Sequence, residues 1–173
     1  MNIAIIGSGS WATALAKIVM HNTSEINWHI RKQETIDEFV EIRRNPNHLE
    51  WAYFDVSRIH FSADINAVIE QSDLLVLAIP SPYLKQSLND ITVDMSQKMV
   101  ISAVKGMIPD ENLLVTEYLH KYFNVPNENL GVIAGPCHAE EIALERLSYL
   151  TVGCENMDKA REWSRLFDTP YVR

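Results

Sequence analysis

The residues with the clearest chemical use stand at the start of the chain. Gly7, Ser8, Gly9, Ser10, Trp11 and Ala12 form a G-x-G-x-x-A pattern. It follows the apolar run Ile3–Ile6 and opens into Thr13–Met20, where Ala, Leu, Ile and Val recur at helical spacing. A strand, a glycine turn and a helix in that order form a cradle for a dinucleotide pyrophosphate. Gly7 makes the sharp turn out of the strand. Gly9 has no Cβ, so the backbone can come close to the phosphates. Ala12 is small enough for the helix to pack on the strand, and the free N–H groups of the helix start face the anion. A tight turn with no ligand is the competing reading, and the strand-to-helix context argues against it.

Further chemistry sits where other apolar runs end. Leu74–Ile79 runs into Pro80-Ser81-Pro82, Met99–Val104 into Lys105-Gly106, and Leu130–Ala134 into Gly135-Pro136-Cys137-His138-Ala139-Glu140-Glu141. Ligands of open α/β sheets lie beyond the carboxyl ends of the strands. A lysine there is a natural partner for a phosphate or a carbonyl, although an exposed turn lysine is the commoner role. Cys137 is also a candidate nucleophile because it stands near a helix start, but no base partner is identifiable. Glu140 and Glu141 suit a helix start through the helix dipole alone. The six histidines show no metal-ligand spacing, so no metal is expected; only His138 falls in the crevice.

The elements that must position these residues alternate. Strands are expected at Ile3–Ile6, Glu25–Ile30, Arg58–Phe61, Asp73–Ile79, Met99–Val104, Leu130–Ala134 and Tyr149–Gly153. Helices are expected at Trp11–Met20, Thr35–Arg43, Asp64–Gln71, Tyr83–Leu88, Asn112–Phe123 (capped by Asp110), Ala139–Glu145 and Asp158–Phe167. Asn45 to Asp55 reads as loop, and Trp28 and Trp163 as core. The alternation predicts an α/β, doubly wound, mainly parallel sheet of Rossmann type with helices on both faces.

With 173 residues, 47% of them hydrophobic, the chain is expected to be one domain, residues 1–173. Its net charge of −8 argues against non-specific binding to nucleic acid or anionic membrane. No apolar run approaches the roughly 20 residues of a membrane span, and the N-terminus lacks a signal-peptide pattern. Only Cys137 and Cys154 are present, without C-x-x-C, so a reducing cytoplasm is the simplest location.

Taken together, G-x-G-x-W-x-T-A-x-A, I-P-S, V-K-G and A-G-P-x-x-A-x-E resemble bacterial NAD(P)-dependent glycerol-3-phosphate dehydrogenases, and Asn45-Pro46-Asn47-His48-Leu49 is similar to that family's N-x-x-Y/H-L loop. The resemblance covers almost the whole chain, in family order. It implies hydride transfer between NAD(P)H and dihydroxyacetone phosphate, a small phosphorylated three-carbon substrate, giving sn-glycerol 3-phosphate for phospholipids. It implies cofactor contacts at Gly7, Gly9, Ser10, Trp11, Arg31, Lys32, Pro80, Lys105, Ala139 and Glu141. It implies substrate contacts at Lys105, Gly135 and Cys137, with Lys105 the catalytic residue on the substrate side. It leaves a homodimer of the full-length protein open. Two positions depart from the pattern: Ala12 often is Gly, and Cys137 usually is Ser or Thr, a thiol being the weaker donor. The family also carries a second, helical domain with a catalytic lysine in a K-N motif, which this sequence does not include.

Cofactor choice has its own argument. NAD-preferring folds place Asp or Glu at the end of the second strand for the ribose 2′-OH. Here that place reads Ile30-Arg31-Lys32-Gln33, which suits a 2′-phosphate. The reading favours NADP(H) and leaves NAD(H) open. Two rivals compete: an NADP(H)-sensing regulator without catalysis, which has no use for Lys105, and a methyltransferase, which would want an acidic residue where Arg31 stands.

Overall fold

The computed structural model describes Met1–Arg173. In chain order the elements are β1 (Ile3–Ile6), α1 (Ser10–Asn22), β2 (Ile26–His29), α2 (Gln33–Ile42), β3 (Ile59–Ser62), α3 (Ile65–Glu70), β4 (Leu74–Leu77), α4 (Ser81–Asn89) and β5 (Met99–Ser102). They continue with β6 (Met107–Ile108), β7 (Leu113–Leu114), α5 (Val115–Phe123), β8 (Leu130–Ala134), α6 (Ala139–Ala143), β9 (Thr151–Cys154) and α7 (Met157–Phe167). The main sheet has seven strands in the order β3-β2-β1-β4-β5-β8-β9, parallel up to β8. The order reverses between β1 and β4, so the glycine turn after β1 and the Pro80 turn after β4 flank the switch point where α/β sheets bind ligands.

Strand periodicity divides the core. Ile3, Ile5, Leu74, Val76 and Ile101 face one side, where α1, α2, α6 and α7 pack. Ala4, Ile6, Leu75, Leu77 and Val100 face the other, under α3, α4 and α5. Buried on both faces, these strands are continuous apolar runs rather than alternating ones. Trp28 belongs to the first side and is fully buried. Its ring centroid lies 5.3 Å from Phe39, 5.6 Å from Phe54 and 5.7 Å from Phe61. Its indole Nε1 donates to the Gly7 carbonyl at 2.7 Å, so the aromatic cluster fixes the start of the glycine turn. Trp163, also fully buried, packs over Gly131, where a Cβ would come within 2.6 Å of the indole.

Two expectations need correction. Asp110 does not cap the fifth helix. It sits at φ 67° in the turn of the β6–β7 hairpin, and α5 begins at Val115, where the Glu117 carboxylate accepts from the Leu114 N–H at 2.7 Å. The last strand, β9, runs antiparallel to β8 and spans Thr151–Cys154 rather than Tyr149–Gly153.

Candidate functional site

Helix α1 starts at the switch point with Gly9 as its N-cap. No side chain caps it and its first turn carries no acidic residue, so its first N–H groups remain available to an anion. The two glycines of the turn differ in their reasons for being glycine. Gly7 lies at φ +131°, and a Cβ there would stand 2.6 Å from the Ala78 carbonyl oxygen. Gly9 has φ −77° and ψ 179°, an extended conformation open to any residue, and a Cβ would meet no protein atom within 4 Å. Nothing in the protein's own packing requires glycine at position 9. The open space in front of it fits a phosphate group.

Beside this turn lies a cleft of about 550 Å³. Gly7, Ser8 and Gly9 form one wall, His29 and Arg31 a second, and Ile79, Pro80 and Tyr83 a third. Arg31 is exposed, two residues beyond the end of β2, and Lys32 follows as the N-cap of α2. Neither forms an ion pair with a carboxylate. Asp64, at the N-cap of α3, and Asp90, just past α4, also reach the cleft; sequence spacing gave no sign of either. The loop after α2 closes over the turn. Asn45 is buried and donates to the Ser8 carbonyl at 2.9 Å and to Thr13 Oγ1 at 2.8 Å, while His48 Nδ1 meets Ser10 Oγ at 3.2 Å. A cleft of similar size, about 540 Å³, opens at the amino ends of β1 and β2. It has neither a glycine turn nor a helix start.

A second group gathers beyond β5 and β8. Trp11 Nε1 donates to the Ala103 carbonyl at 3.0 Å, which fixes the indole at the end of β5. The Lys105 ammonium stands 5.5 Å from the centroid of that indole, within reach of its negative face. Ala139 is buried at the first position of α6, and Glu141 lies half-buried in the same turn. Neither touches the cleft.

Two residues expected on the substrate side have roles within the fold itself. Cys137 is only 4% exposed, its thiol points at the Gly135 carbonyl at 3.8 Å, and its N–H bonds the same oxygen at 3.1 Å. Burial pushes the thiol up from its ordinary range, Glu141 adds to this, and Lys105 opposes it. The residue is therefore a protonated, inward-facing thiol, neither a nucleophile nor an offered side-chain donor. Gly135 has φ +144°, and a Cβ there would stand 2.5 Å from the Tyr149 carbonyl oxygen, so the fold itself demands glycine.

Residues 2–160 match the family described as NAD-dependent glycerol-3-phosphate dehydrogenase N-terminus. The chain belongs to this family. Among its relatives are glycerol-3-phosphate dehydrogenases [NAD(P)+] of Oceanobacillus iheyensis, 30% identical over 99% of this chain and 49% of that protein, and of Geobacillus kaustophilus, 30% identical over 96% and 48%. The glycerol-3-phosphate dehydrogenase of Plasmodium falciparum superposes with a TM-score of 0.88 at 29% identity, covering 100% of this chain and 51% of that one. The Coxiella burnetii glycerol-3-phosphate dehydrogenase has the same fold, with a TM-score of 0.84 at 21% identity over 99% of this chain and 52% of that one. The chain thus spans about half the length of the relatives it matches. No helix is long and apolar enough to cross a membrane, and no group of three or more His, Cys, Asp or Glu could hold a metal ion.

Proposed function

We propose that this chain is the cofactor-binding half of an NAD(P)H-dependent enzyme that interconverts dihydroxyacetone phosphate and sn-glycerol 3-phosphate. The observation that carries the reading is the uncapped start of α1, with empty space in front of Gly9 and the Lys105–Trp11 pair beside it. A bound nicotinamide cofactor supplies the hydride. The chain's residues do the rest of this half's work. Gly9 and the α1 N–H groups receive the pyrophosphate, and Arg31 with Lys32 receives the adenosine end. Lys105, held at the rim by Trp11, presents its charge to the substrate's phosphate or carbonyl oxygen. Orienting both partners is itself a large part of catalysis. The partner proton donor lies in the helical second half implied by the resemblance. The unpaired cysteines fit a reducing compartment, the cytoplasm.

Arg31 and Lys32 favour NADP(H) over NAD(H). Arg31→Ala should reduce that preference, since a charge-assisted bond contributes about 1.5–3 kcal/mol. Titration showing equal affinity of the unaltered chain for NADPH and NADH would overturn the preference. The test of the function is an assay of NADPH oxidation with dihydroxyacetone phosphate. The 173-residue chain should bind NADPH and turn over negligibly. Joined to a second half like that of its relatives it should be active, and Lys105→Ala should then lose on the order of 100-fold. Robust turnover by this chain alone would refute the division of labour, and failure to bind either cofactor would refute the reading.

A further inference from the structure

His29 is the one buried titratable side chain in the cleft that the proposed function does not use. It is the last residue of β2, 7% exposed, and it lines the wall that also carries Arg31. Pairing of His29 with Ile6 sets its side chain on the α3 and α4 side of the sheet. Arg31, in the bend two residues on, lines the same cleft. The Nδ1 of His29 is sealed from solvent and has no partner in good hydrogen-bonding geometry, although the Ala63 backbone stands near enough to favour the charged ring. A buried polar group without a partner is uncommon and calls for an explanation. Because Nδ1 is shut off from the cleft, a ligand there meets the ring through Nε2.

We propose that His29 is a specificity-determining residue of the dinucleotide site, one that recognises the substituent on the adenosine ribose and makes the choice between NADPH and NADH depend on pH. The inference rests on the reading of this cleft as the cofactor site. Burial holds the imidazole below its ordinary range, and Arg31 pushes the same way. The Ala63 carbonyl and the carboxylates of Asp64 and Asp90 oppose that shift. Arg31, Asp64 and Asp90, with His48 and Tyr83 in the same cleft, are the charged and titratable side chains around the ring. In the free protein at neutral pH the ring is therefore uncharged, able to share a hydrogen bond with a ribose hydroxyl. A 2′-phosphate brings negative charge to the ring and offsets the cost of charging it. NADPH binding should then take up a proton that NADH binding does not. Lowering the pH should tighten NADPH relative to NADH, because a protonated ring adds a second cation beside Arg31.

The experiment is calorimetric titration of the chain with NADPH and with NADH from about pH 8 to about pH 5.5, in buffers of different ionisation enthalpy. It is repeated on His29→Gln, whose fold is checked by circular dichroism. The 2′-phosphate's own titration is common to both proteins, so the difference between them isolates His29. In the unaltered chain the preference for NADPH should rise on the order of tenfold more than in His29→Gln, as expected for a charge-assisted bond. If His29→Gln does not fold, the His29 ring is followed by NMR in the unaltered chain. Its titration midpoint should move up with NADPH and stay put with NADH. Identical pH profiles in the two proteins, or no NADPH-specific movement of the ring, would overturn the role of His29 while leaving cofactor binding intact. Absence of binding by either dinucleotide at any pH would instead overturn the cofactor site and this inference with it.

Discussion

Gly9→Val should abolish dinucleotide binding and leave the fold standing, whereas Gly7→Ala should unfold the protein more easily. At Gly9 the backbone is extended, at φ −77° and ψ 179°, and a Cβ meets no atom within 4 Å. Losing glycine as the N-cap of α1 costs up to about 1 kcal/mol, and the stiffer unfolded chain returns about 0.4–1 kcal/mol. The net change in stability stays within about 1 kcal/mol, or roughly 4 °C in Tm for a chain of this size. The new side chain fills the space that a phosphate needs at the helix start. At Gly7 the balance is opposite. Its φ of +131° strains any side chain, and the Cβ would stand 2.6 Å from a backbone oxygen that cannot move aside. Strain of about 1–3 kcal/mol and overpacking of about the same size give a loss of roughly 2–6 kcal/mol, hence a fall in Tm of at least about 4 °C. Thermal unfolding followed by circular dichroism, with calorimetric titration of NADPH on the folded variants, separates the cases. If Gly9→Val binds NADPH within about threefold of the unaltered chain, or melts more than about 10 °C lower, the reasoning about this turn is refuted.

Three other perturbations test the structure at a distance from the turn. Gly131→Ala should destabilise by about 1–3 kcal/mol, because its Cβ would stand 2.6 Å from Trp163; denaturant unfolding should show a smaller cost in a Trp163→Phe background, and equal costs would deny the contact. Arg58 bonds the Ser24 carbonyl at 2.7 Å, the Met20 carbonyl at 2.8 Å and the Thr23 carbonyl, closing the C-terminal end of α1. Arg58→Ala should cost about 1–3 kcal/mol in a urea melt, and Arg58→Lys should recover little of it because an ammonium cannot span the three oxygens. His29 has its pKa lowered by burial, so the unfolded chain takes up its proton first as the pH falls. The His29 contribution to stability is complete above the ordinary value of 6.5 and is lost as the pH falls through its lowered folded value. Tm should therefore drop less on acidification in His29→Gln than in the unaltered chain, and parallel curves would show that the ring is not held neutral.

Long apolar runs made most of the sheet legible. Ile3–Ile6 and Leu74–Leu77 are strands inside the expected spans because short apolar runs closed by turn residues suit a parallel strand covered on both faces. The β6–β7 hairpin was illegible because each strand has two residues and its turn places Asp110 and Asn112 at positive φ, which resembles a helix cap when read one-dimensionally. The direction of β9 was equally hidden. Thr151–Cys154 has the same pattern either way, and only its pairing with Leu130–Ala134 in the folded chain shows the antiparallel direction. At the site, the glycine turn and Arg31 were readable from spacing. Asp64, Asp90 and His29 were not, since they come together only through the pairing of β1, β2 and β3 and the placing of α4. The inward turn of the Cys137 thiol was also beyond the sequence, because position in a motif says nothing of which way a side chain points.

The bond from Trp28 to the Gly7 carbonyl gives the aromatic cluster a second job. Phe39, Phe54 and Phe61 seat an indole whose one polar atom sets the first peptide of the phosphate turn. The turn is thus held in shape by the core before any ligand arrives, and the ordering cost is met during folding rather than during binding. Affinity for a dinucleotide and packing of β2 against α2 then become one inherited trait. A substitution at Phe39, remote from every phosphate contact, would be read by evolution as a change in ligand affinity as much as a change in stability.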